Sequence, residues 1–249
     1  MPSLRVHFLP RLTSPEELAD GDVVVIDVLR ASTVIIHALA AGAREVVPCQ
    51  HVEQARQLAA GYPAGEVLLG GERGGLPIEG FDLGNSPADY TPQRVAGKTV
   101  VFTTTNGTRA MMNCRYARWV VVGTFVNHEA LCEVLSASED VHLLCAGTNG
   151  RISREDVLFA GAVVAEMTTR LEKTWRPDDP ARIARDVWIA ATGGDRPDGP
   201  LLASELSTSL GGENLQRLAL AADIDDAARM DRFTIVPVLD VRRMRIYVP

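Results

Sequence analysis

Short apolar runs alternate with polar, small-residue loops along most of the chain. Residues 22–26, 98–102, 119–122 and 141–145 are rich in Val, Ile, Leu and Phe and end at turn residues, the pattern of buried strands. Residues 4–9 alternate and predict a first strand; 44–48 and 66–70 add short ones. Helical stretches lie between. Ser32 or Thr33 caps a helix that Gly42 ends, and residues 52–60 form another with a polar face. Ser153-Arg154-Glu155-Asp156 opens a long helix reaching about residue 173. Helices over 181–191, and over 204–218 on both sides of Gly211-Gly212, follow, and 233–238 and 241–248 read as closing strands. Strands alternating with helices predict an α/β fold: mostly parallel or mixed sheets with flanking helices. Two α/β lobes, 1–90 and 91–249, with the site between them, are the expected organisation. Residues 70–87 break the pattern. They are too Gly-rich for regular structure and too long for a simple connection, and a loop of that length in a compact domain is typically functional.

Three strand ends share one plan. Residues 100–102 run into Thr103-Thr104-Thr105-Asn106-Gly107-Thr108, and 141–145 into Ala146-Gly147-Thr148-Asn149-Gly150-Arg151. More loosely, 23–26 run into Asp27-Val28-Leu29-Arg30-Ala31-Ser32-Thr33. Both Asn-Gly pairs predict tight turns at positive φ. Each loop leads to a helix start, where N–H groups and hydroxyls suit an anion. In open α/β sheets such loops share the edge at the carboxyl ends of the strands. One anion site built from all three is therefore expected, against the bland alternative of ordinary strand–turn–helix links.

Composition narrows the ligand. The 249 residues carry a net charge of −7, which argues against nucleic acid and against a polybasic membrane role. An acidic protein still binds an anion where local Arg and a metal supply the positive field. No apolar run approaches the roughly 20 residues of a membrane span. Cys49, Cys114, Cys132 and Cys145 lack C-x-x-C spacing, and no secretory pattern opens the chain, so reduced thiols in a cytoplasmic protein are expected. The five histidines show no metal spacing, and no phosphate-binding Gly-rich nucleotide motif is present.

Several residues can carry chemistry. Asp27 ends a strand beside Arg30, Ser32 and Thr33; a carboxylate there can hold a metal or attack phosphorus, or simply cap a turn. Glu72 and Arg73 lie among four glycines, and Asp82 precedes Gly84-Asn85-Ser86. Acids on such loops have the backbone freedom to converge on Mg²⁺, which takes one or two carboxylates plus substrate oxygens; solvated loop charge is the alternative. Glu155 and Asp156 stand at a helix start, where capping explains one and leaves the other to face the site. Cys145 and Arg151, five residues between them, have the arrangement of cysteine phosphatases, in which a thiolate attacks and Arg clamps phosphate. Cys145 also continues an apolar strand, and buried Cys is the commoner case.

Taken together, these blocks resemble the 2-phosphosulfolactate phosphatase family. The resemblance rests on residues 27–33, Gly71-Glu72-Arg73-Gly74-Gly75, 80–87, 103–108, 146–150 and Glu155-Asp156, with 123–127 and the Asp231…Val236-Pro237 ending, in order over nearly the whole chain. It implies a Mg²⁺-dependent acid phosphatase with an α/β fold of its own, acting on small 2-phospho-3-sulfo acids on the route to sulfolactate and coenzyme M. The departure is at 209–215, where a more basic helix start is expected of the family.

On the chemistry above, the reading is a phosphate monoester hydrolase with Asp27, Arg30 and Glu72 catalytic. Asp27, Glu72, Asp82 and Glu155 are its candidate metal ligands. Ser32, Thr33, Arg73, Asn85 and Ser86 are expected to contact the small anionic ester. Thr104, Thr105, Asn106 and Gly107 are expected on the phosphoryl group, and Thr148, Asn149, Gly150 and Arg151 on the same group or on a second anion, the sulfonate, with Arg151 discriminating. A non-catalytic anion sensor and a metal-independent cysteine phosphatase are the rivals, and association into a homo-oligomer stays open.

Overall fold

The computed structural model describes residues 1–169 and 174–249 and has the expected α/β architecture. Its strands are β1 (Ser3–His7), β2 (Asp22–Ile26), β3 (Glu45–Pro48), β4 (Val67–Arg73), β5 (Leu76–Pro77), β6 (Thr99–Thr103), β7 (Trp119–Val122), β8 (Asp140–Cys145), β9 (Arg176–Pro177), β10 (Val238–Asp240) and β11 (Arg245–Tyr247). The helices are α1 (Ala31–Ala40), α2 (Val52–Ala59), α3 (Pro92–Val95), α4 (Gly107–Asn113), α5 (His128–Leu135), α6 (Arg154–Thr169), α7 (Asp179–Thr192), α8 (Gly199–Ser207), α9 (Leu210–Arg217) and α10 (Ala222–Ala227). The expectation that α6 reaches residue 173 lies, beyond Thr169, outside the described residues.

The strands form one sheet in the order β5-β4-β6-β3-β11-β10-β7-β2-β8-β1-β9. β4, β6 and β3 are mutually parallel, and so are β7, β2, β8, β1 and β9. The hairpin β10–β11 stands between these groups, antiparallel to β7 on one side and to β3 on the other. Three successive antiparallel pairings make the two groups run in opposite senses, so the sheet is mixed. Strands from 1–90 and 91–249 interleave in it, and the sheet itself draws no boundary at residue 90.

The central strands are continuous apolar runs because both faces are covered. Alternate residues of β2 enter two cores. Val24 and Ile26 pack with Phe125, Phe159 and Val163; Val23 and Val25 pack with Ile35, Ile36 and Met111. In the first core α6 and α7 approach so closely that a Cβ on Gly161 would lie 2.1 Å from the Ala184 carbonyl oxygen. α7 is stopped at both ends by its sequence. Asp178 accepts the Ala181 N–H, and Gly193 takes a left-handed φ of 78°.

Two local expectations are corrected. Residues 70–77 are regular: β4 continues through Glu72 and Arg73 and turns back as β5, with Gly71, Gly74 and Gly75 at positive φ. Residues 233–237 form no strand. Phe233 N–H goes to Val126 O, Ile235 O accepts from the Asn127 amide and Pro237 has no N–H, so the ladder starts at Val238.

At the β1–β8 edge His7 and His142 stack with ring centroids 5.1 Å apart and share a 2.9 Å Nε2···Nδ1 contact, which leaves room for one proton between them. Burial, and then the neighbouring His142, push the His7 pKa down to about 4. The unfolded chain therefore binds a proton here that the folded chain refuses. Stability from His7 is complete above about pH 6.5 and falls as pH drops toward 4, by roughly 3 kcal/mol. Urea melts of wild type and His7→Gln at pH 7 and pH 5 are expected to show a steeper acid loss for the wild type; equal losses would refute the assignment.

Candidate active site

A cavity of about 200 Å³ opens where the chain segments after β2, β6 and β8 meet the β4–β5 turn and α9. It is smaller than the roughly 300–1,000 Å³ of sites for drug-sized ligands, which restricts it to a small molecule. The convergence is not the shared edge expected from a parallel sheet, since β6 runs opposite to β2 and β8. Twist resolves this. At roughly 20–25° per neighbouring pair, the steps from β6 through β3, β11, β10 and β7 to β2 rotate strand directions by roughly 100° or more. Carboxyl ends that a flat sheet would hold apart thus converge. The contact is direct: Asn106 Oδ1 accepts the Asn149 N–H at 3.1 Å.

The repeated Thr-Asn-Gly tripeptide takes two conformations. Thr148 and Arg151 exchange backbone hydrogen bonds of 2.9 and 3.0 Å across Asn149 (φ 53°) and Gly150 (φ 71°), a two-residue turn with both central residues left-handed. In the other copy Asn106 has φ −111° and immediately precedes α4, of which Gly107 is the first residue. Gly107 is needed for a different reason. A Cβ there would lie 2.7 Å from Ala31 Cβ and 2.9 Å from Asp27 Oδ2, so its absence lets the helix start reach the carboxylate.

Asp27 is 6% exposed and lines the cavity. Its Oδ1 accepts the Ala31 N–H at 3.2 Å, and among the described residues no hydrogen bond reaches Oδ2. Burial above all, together with the charges of Glu155 and Glu72, raises its pKa to about 7 against the Ala31 bond and Arg30. Glu155 and Asp156 lie beneath the cavity floor and are held above the usual carboxylate range, first by burial; for Asp156 the Glu155 charge comes next. Asp156 accepts the Val28 N–H with one oxygen and the Gly147 N–H with the other, both at 2.9 Å, and so clips two strand-end loops together. Hydroxyls of Ser209, Ser153 and Thr148 counter the rise at Glu155, yet none makes a well-formed bond to its buried Oε2. Asn85 Oδ1 and Thr105 Oγ1, both at the cavity, are likewise buried without a partner. Buried polar atoms are seldom left so, which marks these as candidates for a functional role.

Other expected residues are already engaged. Glu72 Oε1 accepts the Thr105 N–H and Oε2 the Gly75 N–H, both at 2.7 Å, so it organises the wall. Arg30 lines the cavity but forms a buried 2.7 Å ion pair with Asp223 and donates to Gly75 O. Thr104, Thr148 and Asn149 line the cavity too. Ser86 donates to Asp223 at 2.6 Å. Ser32 and Thr33 are fully buried, serving the turn through Asp27 N, Val25 O and Val28 O. Arg73 binds Glu72 O, Gln50 O and Thr103 Oγ1, and Asp82 accepts the Leu69 N–H. Neither of these two lines the cavity, nor do Gly150 and the exposed Arg151. Cys145 is fully buried, and burial pushes its thiol well above the ordinary range, which removes the nucleophile that the cysteine-phosphatase alternative needs. Among the described residues no cluster of three or more His, Cys, Asp or Glu side chains could hold a metal by itself.

Sequence reasoning missed Asp223, the buried partner of Arg30, and the α9 residues Asn214 and Arg217, the latter two completing the lining with Gly211, Leu215 and Leu218. The available signal was Gly211-Gly212 inside a helical pattern, unfavourable by propensity. A Cβ on Gly211 would lie 2.2 Å from Glu155 Oε1, so the glycine marks close approach to the buried acid. A larger cavity of about 450 Å³, lined among others by His128, Cys132, Trp188 and Asp231, gathers none of the strand-end loops.

The profile of the 2-phosphosulpholactate phosphatase family matches residues 7–241. Three relatives, each named "Probable 2-phosphosulfolactate phosphatase", resemble the chain over nearly its full length. That of Caldanaerobacter subterraneus is 38% identical, covering 90% of this chain and 89% of the relative. That of Symbiobacterium thermophilum is 42% identical, covering 90% and 93%. That of Deinococcus radiodurans is 41% identical, covering 95% and 92%. With its fold, its cavity and these similarities on one footing, the chain belongs to the 2-phosphosulfolactate phosphatase family, a family of phosphoric monoester hydrolases.

Proposed function

We propose that the cavity hydrolyses 2-phospho-3-sulfolactate to 3-sulfolactate and phosphate with Mg²⁺ as cofactor, in a cytoplasmic enzyme on the route to coenzyme M. The observation that carries the reading is the convergence of uncommitted polar atoms on one small cavity, Asp27 Oδ2, Thr105 Oγ1 and Asn85 Oδ1, with the buried Glu155 just behind its Gly211 wall. The family membership supports the substrate class. The four cysteines, free and buried, agree with reduced thiols, and no helix among the described residues is long and apolar enough to cross a membrane.

The donor set suits Mg²⁺. Asp27 and Glu155 each keep a hard oxygen uncommitted, and Mg²⁺ takes one or two carboxylates and fills its shell with water and phosphate oxygens, needing no all-protein cage. Those two residues would hold the ion; when bound it neutralises charge on the phosphoryl oxygens. The protein's own task is positioning, the main need in phosphoryl transfer. Thr105 Oγ1 donates to the phosphoryl group. Glu72 fixes the Thr105 loop against the Gly75 turn, and Asp156 fixes the β2 and β8 loops. α9 forms one wall of the cavity.

Phosphate release from 2-phospho-3-sulfolactate tests the proposal. Activity is expected to fall at least about 100-fold in EDTA and to return with Mg²⁺. Full activity in EDTA would remove the metal from the mechanism. Tight binding of the ester with no phosphate release would favour the sensor.

A further inference from the structure

α9 spans the cavity. At one end Gly211 abuts Glu155 and Leu29; at the other, Leu218 Cδ1 lies 2.6 Å from where a Cβ on Gly75 would sit. Asn214 and Arg217, three residues apart on one helix face, line the cavity between them. Arg217 Nη2 donates to Asn214 Oδ1 at 2.8 Å, which orients the guanidinium and leaves its other N–H groups available. The charges of the lining settle what it faces. Asp27 and Glu72 are acidic, and the charge of Arg30 is taken by the buried Asp223. Arg217 is the lining residue whose positive charge has no acidic partner among the described residues. Arg151, expected from sequence for this role, lies outside the lining.

We infer that Arg217 is the specificity-determining residue that binds the sulfonate of the substrate, on the α9 side of the cavity, with the phosphoryl group on the strand-end loops at Asp27 and Thr105. The inference rests on the phosphatase reading. A fixed fork of donors fits the trigonal oxygens of a sulfonate, and the α9 end offers the charge that the acidic lining lacks. Because the sulfonate does not change during hydrolysis, this contact contributes uniform binding: its loss raises KM and leaves kcat largely intact.

The test compares two esters that differ only in the sulfonate, 2-phospho-3-sulfolactate and 2-phospholactate, in the Mg²⁺-loaded enzyme. Arg217→Ala is expected to raise KM for the sulfonated ester about 10- to 100-fold, the range of a charge-assisted hydrogen bond. It should change KM for 2-phospholactate less than about threefold, and Arg217→Lys should restore part of the loss. Calorimetric binding of 3-sulfolactate should weaken in parallel, a readout independent of turnover. Arg217 is exposed, so the variants should fold, which circular dichroism checks. Equal losses on both esters, or no change on either, would overturn the inference while leaving the phosphatase reading intact. A wild-type enzyme that hydrolyses neither ester would overturn both.

Discussion

Asp27→Asn is expected to lower kcat/KM for phosphate release on the order of 10³-fold, roughly 4 kcal/mol of transition-state stabilisation. The substitution keeps the shape, and its amide oxygen can still accept the Ala31 N–H, so the β2–α1 turn should persist. What disappears is the carboxylate oxygen that no group among the described residues satisfies. Metal-free Asp27→Asn should also melt no lower than the wild type. Burial raises the pKa of Asp27 to about 7, so its ionised form opposes folding, and an amide relieves that opposition. Lost activity with retained or raised Tm marks a functional carboxylate; a parallel fall of both would make Asp27 structural. Cys145→Ser is the matched control. Cys145 lies fully buried at the end of β8, so this variant should retain most of the activity, and a collapse in rate with an intact fold would reinstate the thiol.

Gly161→Ala should destabilise the protein by about 3 kcal/mol or more, lowering Tm by roughly 6–12 °C in a chain of this size. Helix propensity alone argues the opposite, since Ala is favoured over Gly in a helix interior by up to about 1 kcal/mol. The packing decides. The new methyl would sit 2.1 Å from Ala184 O and 2.9 Å from Trp188 Cβ, so α6 and α7 must part along their length. Thermal unfolding by calorimetry measures the sign directly. An unchanged or higher Tm would mean that the helices separate at little cost, contrary to the tight packing of this core.

The parts of this fold legible in the sequence are those that local periodicity determines. β2, β6, β7 and β8 lie where continuous Val-rich runs placed them, and Asp27, Thr105, Asn106 and Thr148 meet as the strand-end loops suggested. What stayed hidden depends on partners far away in the chain. Residues 233–237 are apolar enough for a strand, but their hydrogen bonds go to Val126 and to the Asn127 side chain. Arg30 reads as a catalytic residue from sequence because Asp223, which neutralises it, is 193 residues away. The two Thr-Asn-Gly copies are identical in sequence and differ in φ because one heads a helix and the other closes a turn. Arg217 carried no motif; only the path of α9 across the cavity distinguishes it.

The hairpin β10–β11 has a kinetic meaning. In the hydrogen-bonded ladder it is the link between the β3 group and the β7 group, and it pairs Ile246 with Val46 across some 200 positions of chain. A nascent chain emerges N-terminus first, at about 5–20 residues per second. Until residues 238–247 emerge, then, the β3 group and the β7 group have open edges and nothing to zip them together. The ladder closes only after residues 238–247 have been made, and such distant pairing is slow because the chain loses loop entropy before it gains contacts. Assembly of the cavity is therefore timed by this late strand pair, and the exposed edges of β3 and β7 are the surfaces a chaperone would need to shield until it arrives.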